Sequence, residues 1–183
     1  MAKRFDKLGE DHIAFINAQH IYFTGSAAPT GRVNVSPKGM DSLRVLGPNR
    51  ILWLNLTGSG NETAGHLAQD PRMTLMWCSF TTRPLILRAY GTARAVHRNA
   101  PDWAGLVAPF GDPLGARQVY VMTVDLVQTS CGYAVPFMDH AGDRDTLVTW
   151  TRDKGEDGLR AYWASTNSET LDGKPTGIGA NLE

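Results

Sequence analysis

Cysteine is nearly absent. Cys78 and Cys131 are the only two in 183 residues, and neither has a His or Cys at metal-ligand spacing. A disulfide framework and a structural zinc site are therefore both unexpected. Nor does charge of one sign dominate, since Lys plus Arg and Asp plus Glu number 18 each. That balance argues against a general nucleic-acid binder, although it leaves local basic patches open. No apolar run approaches the length of a bilayer span, and the basic Met1-Ala2-Lys3-Arg4 opening leads into no hydrophobic stretch. No membrane association and a cytoplasmic location are expected. Gly-x-Ser-x-Gly elbows, Walker loops and dinucleotide fingerprints are missing as well, so hydrolase triads and the common nucleotide folds find no support. What remains is ordinary globular chemistry, 42% hydrophobic and 20% charged, at a size that suits one domain.

Against that plain background one corner stands out. The apolar strand Ile51-Leu52-Trp53-Leu54 runs into the small, polar loop Thr57-Gly58-Ser59-Gly60-Asn61, and a helix with apolar Ala64, Leu67 and Ala68 follows at once. Asn61 is placed to N-cap that helix. Unpaired backbone N–H groups, hydroxyls and a helix start make such a corner suited to an anion, most often a phosphate. Upstream, Arg32-Val33-Asn34-Val35-Ser36-Pro37-Lys38-Gly39 puts an amide, a hydroxyl and an ammonium at alternate positions, which in a strand share one face. Lys38 offers a point charge to a phosphate.

The remaining pattern is mostly strand. A helix is expected over 10–18, with Ile13, Ile16 and Asn17 facing inward. Strands are expected over 21–25, 32–36, 42–46 and 51–56, the first two as a hairpin. After a helix over 63–69, stopped by Asp70-Pro71, strands are expected over 73–80, 85–96 and 119–127, with a short helix over 101–107. Leu147, Trp150, Leu159, Tyr162 and Trp163 mark a C-terminal helical region. The Gly- and Asn-rich tail from Ser165 reads as an extended arm or a frayed end. Short links between many strands favour a β-barrel decorated by helices. His66 and His97 read as surface or helix-end histidines and Cys131 as a buried, inert thiol. Tyr133 and Phe137 read either as core or as a lid over a planar ligand.

The order Gly-Arg-Val-Asn-Val-Ser-Pro-Lys-Gly, then Thr-Gly-Ser-Gly-Asn-Glu-Thr, then His-Leu-Ala-Gln-Asp-Pro-Arg-Met-Thr-Leu-Met resembles the pyridoxamine 5'-phosphate oxidase-related family. The resemblance covers about residues 13–127. It implies a mainly β, FMN-binding split barrel over 1–183, of which 128–183 form a helical extension and tail. It also implies a homodimer with FMN at the interface, and an oxidoreductase acting on a small molecule. The deazaflavin coenzyme F420 is the alternative cofactor, and a non-catalytic flavin- or haem-holding sensor or carrier is the alternative function. By resemblance Val33, Asn34, Val35 and Ser36 lie along the ring and ribityl chain, Leu56 and Thr57 face them, and Asn61 and Thr63 lie by the phosphate. Glu62 and Thr63 stand where the resemblance puts an arginine and a lysine, leaving Lys38, Arg32 or Arg88 to supply positive charge. The missing cations, and Arg160-Ala161-Tyr162 in place of an Arg-x-His motif, argue against the vitamin B6 reaction. No catalytic side chain and no metal ligand is assigned.

Overall fold

A computed structural model describes residues 2–183. Its strands are β1 (Lys3–Phe5), β2 (Tyr22–Ser26), β3 (Asn34–Lys38), β4 (Leu43–Gly47), β5 (Arg50–Leu56), β6 (Arg72–Cys78), β7 (Ile86–His97) and β8 (Ala116–Ser130). They form one antiparallel sheet in the order β3-β2-β6-β7-β8-β5-β4, with β1 also paired to β8. The helices are α1 (Glu10–Asn17), α2 (Glu62–Leu67), α3 (Trp103–Val107) and α4 (Thr146–Thr166).

Period-two alternation divides the core between two layers. On β5, Ile51 and Trp53 enter one apolar cluster with Tyr120, Met122 and Leu75, while Leu52 and Leu54 enter a second with Trp103, Leu106 and Val119. Both faces of β5 are thus covered, which is why it reads as a continuous apolar run. The first cluster also takes Ile16 from α1 and Leu67 from α2. Phe15, not Asn17, is the other inward residue at the end of α1; Asn17 is exposed.

The sheet does not close. Among the described residues no backbone ladder joins its end strands β3 and β4. Side chains meet across the opening instead, from β2 to Ser42 just before β4 and from β3 to β5. The Tyr22 hydroxyl lies 2.9 Å from Ser42 Oγ, and Lys38 Nζ sits 5.3 Å from the centre of the Trp53 ring. The barrel is split along that line.

The 165–183 tail is neither an extended arm nor frayed. It folds back onto the barrel and buries Asn167, Thr170, Thr176, Ile178 and Asn181. Thr176 Oγ1 donates to Asn167 O at 2.6 Å and Asn181 Nδ2 to Arg117 O at 2.6 Å, so polar residues are satisfied inside the fold. The C-terminal helical region is kinked at Gly155, where φ is +66°. Trp163 of that region is buried by this chain alone. The expectation of a buried Cys131 also fails. Cys131 is exposed, past the end of β8, and Cys78 is the buried cysteine. His66 is a helix-end histidine, as one expected alternative had it, and is buried in the last turn of α2, 3.1 Å from Ser26 Oγ through Nδ1. Tyr133 and Phe137 are exposed and form no part of the core.

β7 and β8 pair along most of their length, with a register shift after Tyr90. There the two backbones approach so closely that a Cβ on Gly91 would stand 1.9 Å from Thr123 O. Gly91→Ala should therefore destabilise the fold by more than about 2 kcal/mol, in the range of other overpacking strains. Urea unfolding of the variant against wild type measures this, and unchanged midpoints would contradict the register described.

Candidate functional site

The split opens onto a cleft of about 340 Å³. One wall is β3, the other is β5 and the loop that leads into α2, and β8 lies behind. Asn34, Ser36 and Lys38 share the inner face of β3 as their alternation requires, and Ser36 Oγ donates to Asn34 Oδ1 at 3.3 Å. Leu56, Asn61 and Thr63 reach the same cleft from the opposite wall. Six of the ten residues picked out in the sequence are thereby brought together.

Four are not. Val33 and Val35 point to the other face of β3, 72% and 66% exposed, as strand alternation dictates. Arg32 lies outside the cleft, where it pairs with Asp172 of the tail. Thr57 is fully buried behind the wall, its Oγ1 donating to Gly115 O at 2.8 Å and accepting from Trp163 Nε1 at 2.8 Å. Arg88, the other cation considered, reaches Ser130 Oγ instead.

Asn61 occupies the N-cap position of α2 but makes no capping bond. Its Oδ1 accepts from Asn55 Nδ2 at 3.2 Å, and its own Nδ2, buried at the cleft, has no partner. Because α2 is only six residues long, side chains and not a helix dipole must supply any affinity for an anion here.

The sequence reading missed Trp53, Asn55, Arg117 and Tyr120, all of which line the cleft. Arg117 matters most. It is the second residue of β8 and is only 3% exposed. Its Nη1 donates to Asn167 Oδ1 at 2.7 Å and Gly58 O at 3.3 Å, and its Nη2 to Gly60 O at 2.6 Å and Asn55 Oδ1 at 3.4 Å. All four acceptors are neutral, and Nε has no partner. Among the described residues neither Arg117 nor Lys38 forms an ion pair with a carboxylate. Burial lowers the Arg117 pKa to about 10. Burial, and then the positive charge of Arg117, lower that of Lys38 to about 8. Glu62 also lines the cleft, but both its carboxylate oxygens accept from Leu171 N at 3.1 Å.

With this geometry in view, the relatives can be placed. Residues 8–131 match the pyridoxamine 5'-phosphate oxidase family pattern. The chain belongs to that family. A pyridoxamine 5'-phosphate oxidase family protein, ustO of Aspergillus flavus, is 37% identical over 177 residues, covering 86% of this chain and 70% of the relative. Among solved structures, a putative pyridoxamine 5'-phosphate oxidase from Lactobacillus delbrueckii superposes with a TM-score of 0.55 at 19% identity, over 67% of this chain and 94% of that one. HupZ of Group A Streptococcus does so at 0.52 and 18% identity, over 65% and 91%. At such identities the likeness concerns the fold, the family's split barrel. The family pattern ends at residue 131, so α4 and the tail, which supplies Asn167 to Arg117, lie outside it.

The lowered Lys38 pKa has a measurable consequence. Between about 8 and its ordinary 10.5, the unfolded chain holds more protons at this site than the folded one. This group therefore makes stability rise with pH across that window, and below it the full cost of burying the charge remains. NMR titration of the lysine side chains should find Lys38 with a midpoint near 8. A bound anion should move that midpoint upward. A midpoint near 10.5 would contradict the burial and the adjacent charge.

Proposed function

We propose that this chain is an FMN-dependent oxidoreductase acting on a small molecule, with the cofactor in the cleft between β3 and β5. One observation carries the reading. In a chain of this family, the cleft at the split gathers hydrogen-bond donors and cations that have no carboxylate partners. A phosphate-bearing ligand fits that chemistry, because each donor gains an acceptor and the buried charge gains a counter-ion. The remaining walls suit the rest of a flavin. Asn34 and Ser36 offer an amide and a hydroxyl for a polyol chain, and Leu56 offers apolar surface for a ring.

When bound, a flavin supplies transfer of hydride or of single electrons, and the protein supplies position and tuning. Lys38 Nζ, held over Trp53, brings charge to the phosphate end. Asn61 Nδ2 gives a neutral donor beside it. No acid–base residue is assigned, in keeping with chemistry that resides in the cofactor. The same reading makes the protein a homodimer. β3 is an edge strand whose outward Val33 and Val35 are exposed, and a second copy on that edge would bury apolar area and enclose the cleft's open side.

Lys38→Ala tests the assignment. A charge-assisted contact to phosphate is worth about 1.5–3 kcal/mol, so the variant should bind FMN roughly ten- to a hundredfold more weakly. Riboflavin, which lacks the phosphate, should bind wild type and variant equally. Equal losses for both ligands would remove Lys38 from the phosphate site. A wild type that takes neither flavin nor deazaflavin but does take haem would replace this reading with a haem carrier.

A further inference from the structure

A phosphate in the cleft needs positive charge, yet Glu62 and Thr63 stand where the family resemblance puts an arginine and a lysine. We infer that Arg117 is the buried phosphate-binding cation of this chain, and that the C-terminal tail holds it in place through Asn167. The inference rests on the flavin reading only for what bears the phosphate.

Four of the five Arg117 N–H groups are tied to neutral oxygens, which fixes the plane and position of the guanidinium. These bonds leave its charge uncompensated, and a buried cation without a counter-ion is costly. The fifth donor, Nε–H, is unpartnered and belongs to a residue that lines the cleft. A second unpartnered donor, Asn61 Nδ2, lines the same cleft, as does Lys38. Two cations and an orphaned amide around one cavity form a site for a dianion. Had Arg117 only a structural duty towards the loop carbonyls, neither the orphaned Nε nor the second cation would be explained.

Glu62 lines the cleft and its charge opposes a dianion, but both of its oxygens are occupied in accepting from Leu171 N of the tail. The turn that carries Leu171 is closed by Thr170 N donating to Lys174 O at 2.8 Å. It is moored further by Asp172 to Arg32 and by Lys174 Nζ to Gln69 Oε1 at 3.1 Å. It packs so closely on α2 that a Cβ on Gly65 would stand 2.3 Å from Thr170 Cγ2. The mooring carries through to Asn167, whose backbone O accepts from Thr176 Oγ1 and whose Nδ2 donates to Gly58 O at 3.0 Å. Asn167 Oδ1 is thereby presented to Arg117. The carboxylate at position 62 thus anchors the segment that positions the substitute cation, and Asn167 is a positioning residue.

The test titrates full-length wild type, Arg117→Met and Asn167→Ala with FMN, riboflavin and inorganic phosphate by calorimetry. Arg117→Met should weaken FMN roughly ten- to a hundredfold and lose phosphate binding, with riboflavin affinity unchanged. Asn167→Ala should shift FMN and phosphate in the same direction by less, again sparing riboflavin. Wild-type FMN affinity in Arg117→Met, or equal loss of FMN and riboflavin, would overturn the assignment. If wild type takes phosphate, Arg117→Met does not, and neither takes flavin, the cation site stands and the flavin reading falls. Should Arg117→Met fail to fold, NMR of wild type decides. The Arg117 Nε–H proton should move downfield as inorganic phosphate is added, and an unmoved resonance would overturn the proposal.

Discussion

The positive charge of Arg117, sunk in the barrel wall and met only by neutral oxygens, is the constraint around which this structure is arranged. Burying a guanidinium in this way is tolerable only because both of its terminal nitrogens are hydrogen-bonded, by three separate segments of the chain. Asn55 comes from β5, the Gly58 and Gly60 carbonyls from the loop, and Asn167 from the tail. The corner loop is therefore ordered by a side chain of β8 and a side chain beyond α4. The tail in turn closes over the corner by using Glu62 and Arg32 as moorings. Two residues that appeared in the sequence as ligands or as a defect of the ligand site serve as fasteners for the segment that completes it.

The split in the barrel follows from the same economy. β3 and β4 are consecutive strands at opposite ends of one sheet. The gap between them is spanned by Tyr22 to Ser42 and by Lys38 over Trp53 rather than by backbone ladders. A closed barrel would have filled its interior with side chains. The opening leaves a cleft with β3's polar face on one side and the β5–α2 corner on the other. In the proposed function that cleft holds the flavin, and the family's common barrel is kept while its phosphate cations are relocated.

Much of this was legible in the sequence, for physical reasons that particular residues illustrate. The run Ile51 to Leu54 and the alternation through Asn34, Ser36 and Lys38 are local signals, and both appear where expected. Val33 and Val35 were assigned to the cleft through resemblance, yet the same alternation that brings Asn34 and Ser36 inward turns them out. Arg117 was invisible because β8 was expected to begin at 119, three residues late, and because its partners lie up to 62 residues away along the chain. The tail looked loose because it is polar. Asn167, Thr176 and Asn181 are buried through specific hydrogen bonds, and composition does not record those. The burial of His66 and the exposure of Cys131 were hidden alike, since burial at a helix end or a strand exit depends on what packs against it.

In the proposed function this cleft holds a phosphate-bearing flavin against uncompensated positive charge. Native mass spectrometry of the freshly purified protein tests that most directly. The expected result is a complex whose excess mass is that of FMN, at one flavin per chain, released as FMN on denaturation. Protein that carries haem, or that carries nothing and gains no mass when FMN is added, would contradict it.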